Sequence, residues 1–225
     1  MKDEILHSIE WNMTKINGFL EKIVTAPPPV ELRRLKFYHG VYIESLFSLI
    51  DYMDEMDESI SREIKYIMRN LGDDSLYYFR ELHYAIAHRG FDISTHSNIV
   101  ENNVRLMTPE CVLNRDGLPC PPPKESILLK SLLIFDMAVR ISVLLKLSQL
   151  GFRYEKAREE DEYFESFLAN MNSAAVPGFV KGFIFDHRRE VREKIDSREL
   201  ESSLIIRVKE RLFPESMLNI VKILY

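Results

Sequence analysis

Two cysteines among 225 residues are too few for a disulfide framework. Cys111 and Cys120 are separated by eight residues in a Pro/Gly-rich stretch, with no second pair and no regularly spaced histidines beside them. That is not the ligand spacing of zinc, so reduced thiols are expected. There is no glycine-rich phosphate loop, which argues against a nucleotidase or kinase. The start, MKDEILHSIEW, is acidic where a secretory signal needs basic residues and then an apolar run. A continuous membrane span is missing too: the most apolar stretch, residues 127–150, is broken by Lys130, Asp136, Arg140 and Lys146. No internal repeat or low-complexity tract is present. The formal charge of -5 exerts no general pull toward nucleic acid, so any polyanion-binding surface has to be local. These absences lead to an expected cytoplasmic protein with no metal, no cofactor and no membrane partner.

What is present is the mixture of a globular domain, 46% apolar and 29% charged residues. Steps of three and four connect Ile5, Ile9, Met13, Ile16, Leu20 and Ile23, which predicts a helix stopped by Ala26-Pro27-Pro28-Pro29. The same stepping runs through Leu32, Leu35, His39, Tyr42, Leu46, Leu49, Met53 and Met56, predicting a second helix with His39 facing inward. A third helix is expected from Ser59 to Asn70, ending around Leu71-Gly72. Asp73, Asp74 or Ser75 can then cap a fourth, Leu76 to Arg89, which Gly90 stops. From Phe91 to Lys124 the helical period weakens and turn residues dominate, so an ordered insertion is expected there. Cys111-Val112-Leu113 is a candidate strand, limited by Pro119. A strong helix follows at Ile127 to Leu150. Beyond it lie a charged run from Arg153 to Glu162 and further expected helices, including Asp186 to Leu212. The chain is therefore expected to be all-α: a helical core over residues 1–150 with an insertion near 91–124, and a helical extension over 151–225 that either stands apart or joins the same domain.

Chemistry concentrates in the fourth helix. Helical spacing puts Tyr77, Glu81, Tyr84 and His88 near one face, opposite Phe79, Leu82 and Ile86. Structurally, Glu81 could accept from Tyr77 or His88 and satisfy a packed polar seam. Functionally, it could orient His88 for proton transfer while nearby cations hold a phosphate. Arg80 and His83 share one turn, and Arg89 at the helix end meets exposed carbonyls. His7 and His96 have no close partner in sequence. His187, in Asp186-His187-Arg188-Arg189, fits a helix cap. The acidic stretch from Asp51 to Glu58 reads as a solvated helix face without calcium-loop spacing.

The segment Glu81-Leu82-His83-Tyr84-Ala85-Ile86-Ala87-His88-Arg89-Gly90, late in a helix that follows a long helical pair, resembles the HEPN superfamily of small helical domains, several of which cleave RNA without a metal. About 70 residues, from the second helix through Gly90, carry the likeness, and the helix at 127–150 would complete a HEPN-like bundle. His88 matches the motif histidine. The position that holds arginine in the family is His83 here, and Tyr84 stands where a short polar residue is usual. By resemblance, His88 would move protons while His83, assisted by Arg80 or Arg89, holds phosphate, with Tyr77, Glu81 and Tyr84 in support. Histidine binds phosphate only when protonated, whereas arginine keeps its charge and offers a planar fork of donors. The resemblance therefore implies a noncatalytic binding or assembly protein of RNA handling, antiviral defence or toxin regulation, self-associating as a homodimer, with RNA or a protein as partner. A metal-independent endoribonuclease is the alternative, and a generic helical scaffold a third.

Overall fold

A computed structural model describes residues 2–25, 31–100, 103–150, 208 and 210–214. The architecture is an all-α helical bundle carrying a small β-hairpin insertion, with further helical residues at 208 and 210–212. The helices are α1 (Lys2–Thr25), α2 (Leu32–Met56), α3 (Ile60–Asn70), α4 (Leu76–Arg89) and α5 (Leu128–Gln149). The hairpin pairs β1 (Ser97–Val100) with β2 (Asn103–Leu106) in antiparallel register, Ser97 opposite Leu106 and Val100 opposite Asn103. Two compact units divide the chain, Thr14–Val139 on the one hand and Met1–Met13 with Arg140–Tyr225 on the other, so that α1 and α5 each contribute to both. The Pro turn after α1, the charged run after residue 150, His187 and most of the C-terminal extension lie outside the described residues.

The helices expected between residues 5 and 150 form at the expected places because the apolar period and the stop residues agree, while the helix expected over Asp186 to Leu212 lies mostly outside the described residues. Along α1 the buried stripe is Leu6, Ile9, Met13, Ile16, Leu20 and Ile23. Leu6, rather than Ile5, begins it, since Ile5 is only half-buried. Gly90 closes α4 at φ 65°, a left-handed conformation that costs glycine little, and Phe91 N–H reaches back to the Ala85 carbonyl. The N-cap of α4 falls at Ser75 as anticipated, but its hydroxyl does not cap. Instead Asp73 accepts from both the amide and the hydroxyl of Ser75. Two of the acidic residues ending α2 serve the turn into α3: Asp57 accepts from Ser59 N–H and Asp54 from Ser61 N–H, an anion at a helix N-terminus. Among the described residues no cluster of three metal-ligating side chains exists, and no helix is long and apolar enough to cross a membrane.

In the unit Thr14–Val139, α2 and α4 run antiparallel: Gly40 lies under Ile86 and Phe47 under His83. Phe47, Phe79 and Phe135, from α2, α4 and α5, form the aromatic centre. Phe135 lies 5.2 Å from Phe47 and is stacked 5.1 Å from Phe79. Each fully buried ring contributes roughly 1.5–3 kcal/mol by leaving water. Tyr42 donates to Asp136 at 2.7 Å in the same core.

His39 is buried as anticipated, its Nδ1 2.8 Å from the Leu35 carbonyl. Burial pushes its pKa down from 6.5 to about 4, against the smaller opposing effect of that carbonyl. The folded state thus holds His39 neutral, while the unfolded chain takes up a proton below 6.5. The stability tied to this neutral form is complete above pH 6.5 and is lost as pH falls toward 4, with a span of about 3 kcal/mol. Leu35 O is also within the backbone helix ladder, so removing the imidazole strands no carbonyl. His39→Leu is therefore expected to shift the urea midpoint little at pH 7.5 and to raise it over the parent at pH 4.5. A variant with the parent's acid sensitivity would show that other groups set it.

Candidate functional site

The insertion predicted over 91–124 is built onto the helices by hydrogen bonds. Asp92 accepts from Ser94 N–H and from its hydroxyl, and pairs with Lys36 at 2.9 Å. The Ser94 and Lys36 donors hold its carboxyl down at about 2. Met107 N–H reaches the His96 carbonyl and Thr108 N–H that of Ser126, tying the end of β2 to the approach of α5. Further on, Leu113 and Pro119 make an isolated bridge and Cys120 N–H donates to Val112, so the turn expected at Asn114-Arg115-Asp116-Gly117 closes, but only one bridge forms there. Gly117 takes φ 77° and Asn114 Oδ1 accepts from Asp116 and Leu118. The extended pairing falls at 97–106, where asparagines interrupt the apolar alternation and no strand was anticipated.

This loop lies against α4. Tyr78 donates to the Pro109 carbonyl at 2.6 Å, and burial pushes its phenol well above the ordinary range. Arg89, at the helix end, donates to Leu113 O at 2.5 Å and Asn114 O at 3.2 Å. Its guanidinium also stands 4.0 Å from the Glu81 carboxylate, which is buried and has one oxygen, Oε2, without a hydrogen bond. Beneath, the Cys120 thiol is raised by burial first and by Glu81 second.

The stripe expected on α4 is brought together in part. Tyr84 and His88 meet at 4.8 Å between ring centres, and His88 is exposed. Tyr77 is exposed while Glu81 is buried, so neither the Tyr77–Glu81 nor the His88–Glu81 hydrogen bond forms. His83 is half-buried and lies flat on Phe47, 4.9 Å between centres and 12° between planes. Burial lowers its pKa, an effect opposed by the Asp51 and Glu44 carboxylates and reinforced by His88 and Arg80. Arg80 donates to Ser61 on α3. Nine residues, or two and a half turns, separate Arg80 from Arg89, which sets them on opposite sides of the helix.

One residue that the sequence pattern did not single out joins the group. Arg115 places its guanidinium 4.8 Å from the centre of the Tyr84 ring, with Arg89 at 5.3 Å from the same ring. In sequence Arg115 is only a turn residue, and nothing local marks a partner 31 positions away. His96, without a partner in sequence, likewise stacks on Phe91 and comes within 3.4 Å of the exposed Cys111 thiol. The arrangement can attract an anion at Arg115 and His88, but its second histidine favours the neutral form and Arg89 is committed to the loop. No protein-family model, curated protein or solved structure matches the chain.

Proposed function

We propose that this chain is a noncatalytic, HEPN-like binding or assembly protein acting in RNA handling or defence. The observation that carries the reading is the environment of His83. Where the family places a permanent cation, this chain has an imidazole flat on Phe47, whose burial disfavours the charged form. Stabilising a pentacoordinate phosphorus needs a charge that is present throughout the reaction, and arginine supplies it without a proton. Arg80 and Arg89 do not replace it, since one is hydrogen-bonded to α3 and the other to the insertion. Self-association as a homodimer, with α4 at the interface, belongs to the same reading, as does a cytoplasmic location.

The alternative, a metal-independent endoribonuclease using His88, draws on the exposed imidazole beside Tyr84 and on the Arg115 guanidinium over that ring. It would need the RNA 2′-hydroxyl as nucleophile, so DNA is the control. Fluorescently labelled RNA incubated without metal is expected to stay intact with both the parent and His88→Ala, each checked for folding by circular dichroism. Rapid cleavage by the parent, reduced roughly 10²–10⁴-fold in His88→Ala, would establish the endoribonuclease instead. Light scattering on the same samples over a concentration series tests the dimer, and a persistent monomer removes it.

A further inference from the structure

Away from α4, the last turns of α1 and the first of α2 join aromatic rings to cations. Phe37 is 59% exposed, unusual for a phenylalanine and unmatched by any exposed large aliphatic side chain beside it in these two segments. Its ring lies 6.0 Å from Phe19 and 6.0 Å from Tyr38, and Phe19 and Tyr38 are 6.1 Å apart, a three-ring cluster contributed by both helices. Lys22 sets its ammonium 4.7 Å from the Phe19 ring and 5.8 Å from Tyr38. On α2, Arg33 precedes Phe37 by four residues, which places the two on one helical face.

The charges here are of two kinds. Arg34 is paired with Glu31 and Lys36 with Asp92. Arg33 and Lys22 have neither an ion pair nor a hydrogen bond among the described residues, and both are exposed. Arg33 and Lys22 are therefore the cations of this surface left without a carboxylate among the described residues, on a chain whose formal charge is -5. An exposed ring beside unpaired cations is what single-stranded nucleic acid requires: cations take the phosphates, and an aromatic ring stacks a base whatever its identity. A protein partner anchors instead on large apolar side chains packed into a desolvated pocket, and a membrane surface needs a broad apolar face. Phe37, the ring of the three that is largely exposed, provides neither.

We infer that the α1–α2 surface formed by Phe19, Lys22, Arg33, Phe37 and Tyr38 is a docking platform for single-stranded RNA or DNA, with Phe37 stacking a base and Lys22 and Arg33 holding adjacent phosphates. This deepens the binding reading above by naming nucleic acid as the partner, while standing on residues separate from the α4 motif. Fluorescence anisotropy of a labelled single-stranded 12-mer with the full chain, over a salt series, tests it. The parent binds at low salt, and Phe37→Ala weakens binding roughly 5- to 150-fold. Arg33→Ala and Lys22→Ala each reduce the slope of log affinity against log salt by about 0.7. Tyr66→Ala, an exposed ring on α3, serves as the control and leaves binding unchanged.

If the parent binds no oligonucleotide at low salt, this platform and the RNA partner proposed above both fall. If it binds and the Phe37, Arg33 and Lys22 variants match the parent while His88→Ala does not, only the platform falls. A polyglutamate peptide that displaces the oligonucleotide at equal charge would make the surface a site for acidic protein and overturn the assignment.

Discussion

Replacing Arg140 with leucine is expected to cost about 2–6 kcal/mol of stability, because two acceptors each lose a donor at about 1–3 kcal/mol. Arg140 is 0% exposed, and in the unit of Met1–Met13 with Arg140–Tyr225 its guanidinium donates to the carbonyls of Arg211 and Leu212 at 3.1 and 2.7 Å. Those carbonyls end a helical turn, where intrahelical donors run out, and one guanidinium supplies two of them. Leucine fills much of the volume but donates nothing, so buried acceptors lose their partners. Arg140→Lys keeps a charge without the fork and should recover only part of the loss. Urea unfolding of both variants checks this, with Arg115→Ala as an exposed control expected within about 0.5 kcal/mol of the parent. An Arg140→Leu protein as stable as the parent would mean that these carbonyls find other donors.

Arg89→Ala should destabilise the unit Thr14–Val139 by about 2–3 kcal/mol, for a reason unrelated to RNA. It removes two hydrogen bonds to the insertion and leaves the buried Glu81 carboxylate without the cation 4.0 Å away. The Arg89 side chain is one-third exposed, which keeps the expected cost below that of a fully buried pair. The second half of this cost is recoverable: Glu81→Gln/Arg89→Ala is expected to be more stable than Arg89→Ala alone, because the amide carries no charge to strand. Thermal unfolding of the parent, both single variants and the double variant forms the cycle. Strict additivity of the two substitutions would show that Glu81 and Arg89 do not interact. Any loss of RNA binding in Arg89→Ala has to be judged against this cycle, since the same guanidinium holds the loop that carries Arg115.

Element positions were readable because they depend on local rules. The stepping from Leu35 to Met53 determines a buried helical face whatever it packs against, and it was enough to turn His39 inward. Gly72 and Gly90 end α3 and α4 through their own backbone freedom. The charges that break the apolar stretch at Asp136 and Arg140 were also visible, but not their burial: both are enclosed, Asp136 against Tyr42 and Arg140 against carbonyls some 70 residues away. Periodicity reports which face a residue occupies, not whether a distant donor or acceptor awaits it there.

The candidate site divides along the same line. From its own residues the sequence determined a histidine-rich helix ending at Gly90, and the absence of arginine at position 83. Only the tertiary structure decided that His83 lies on Phe47 of α2, that Glu81 faces inward, that Arg89 grips the insertion and that Arg115 crosses Tyr84. Each of these depends on a contact between segments far apart in the chain, where packing and desolvation select one of several partners that helical spacing leaves equally possible.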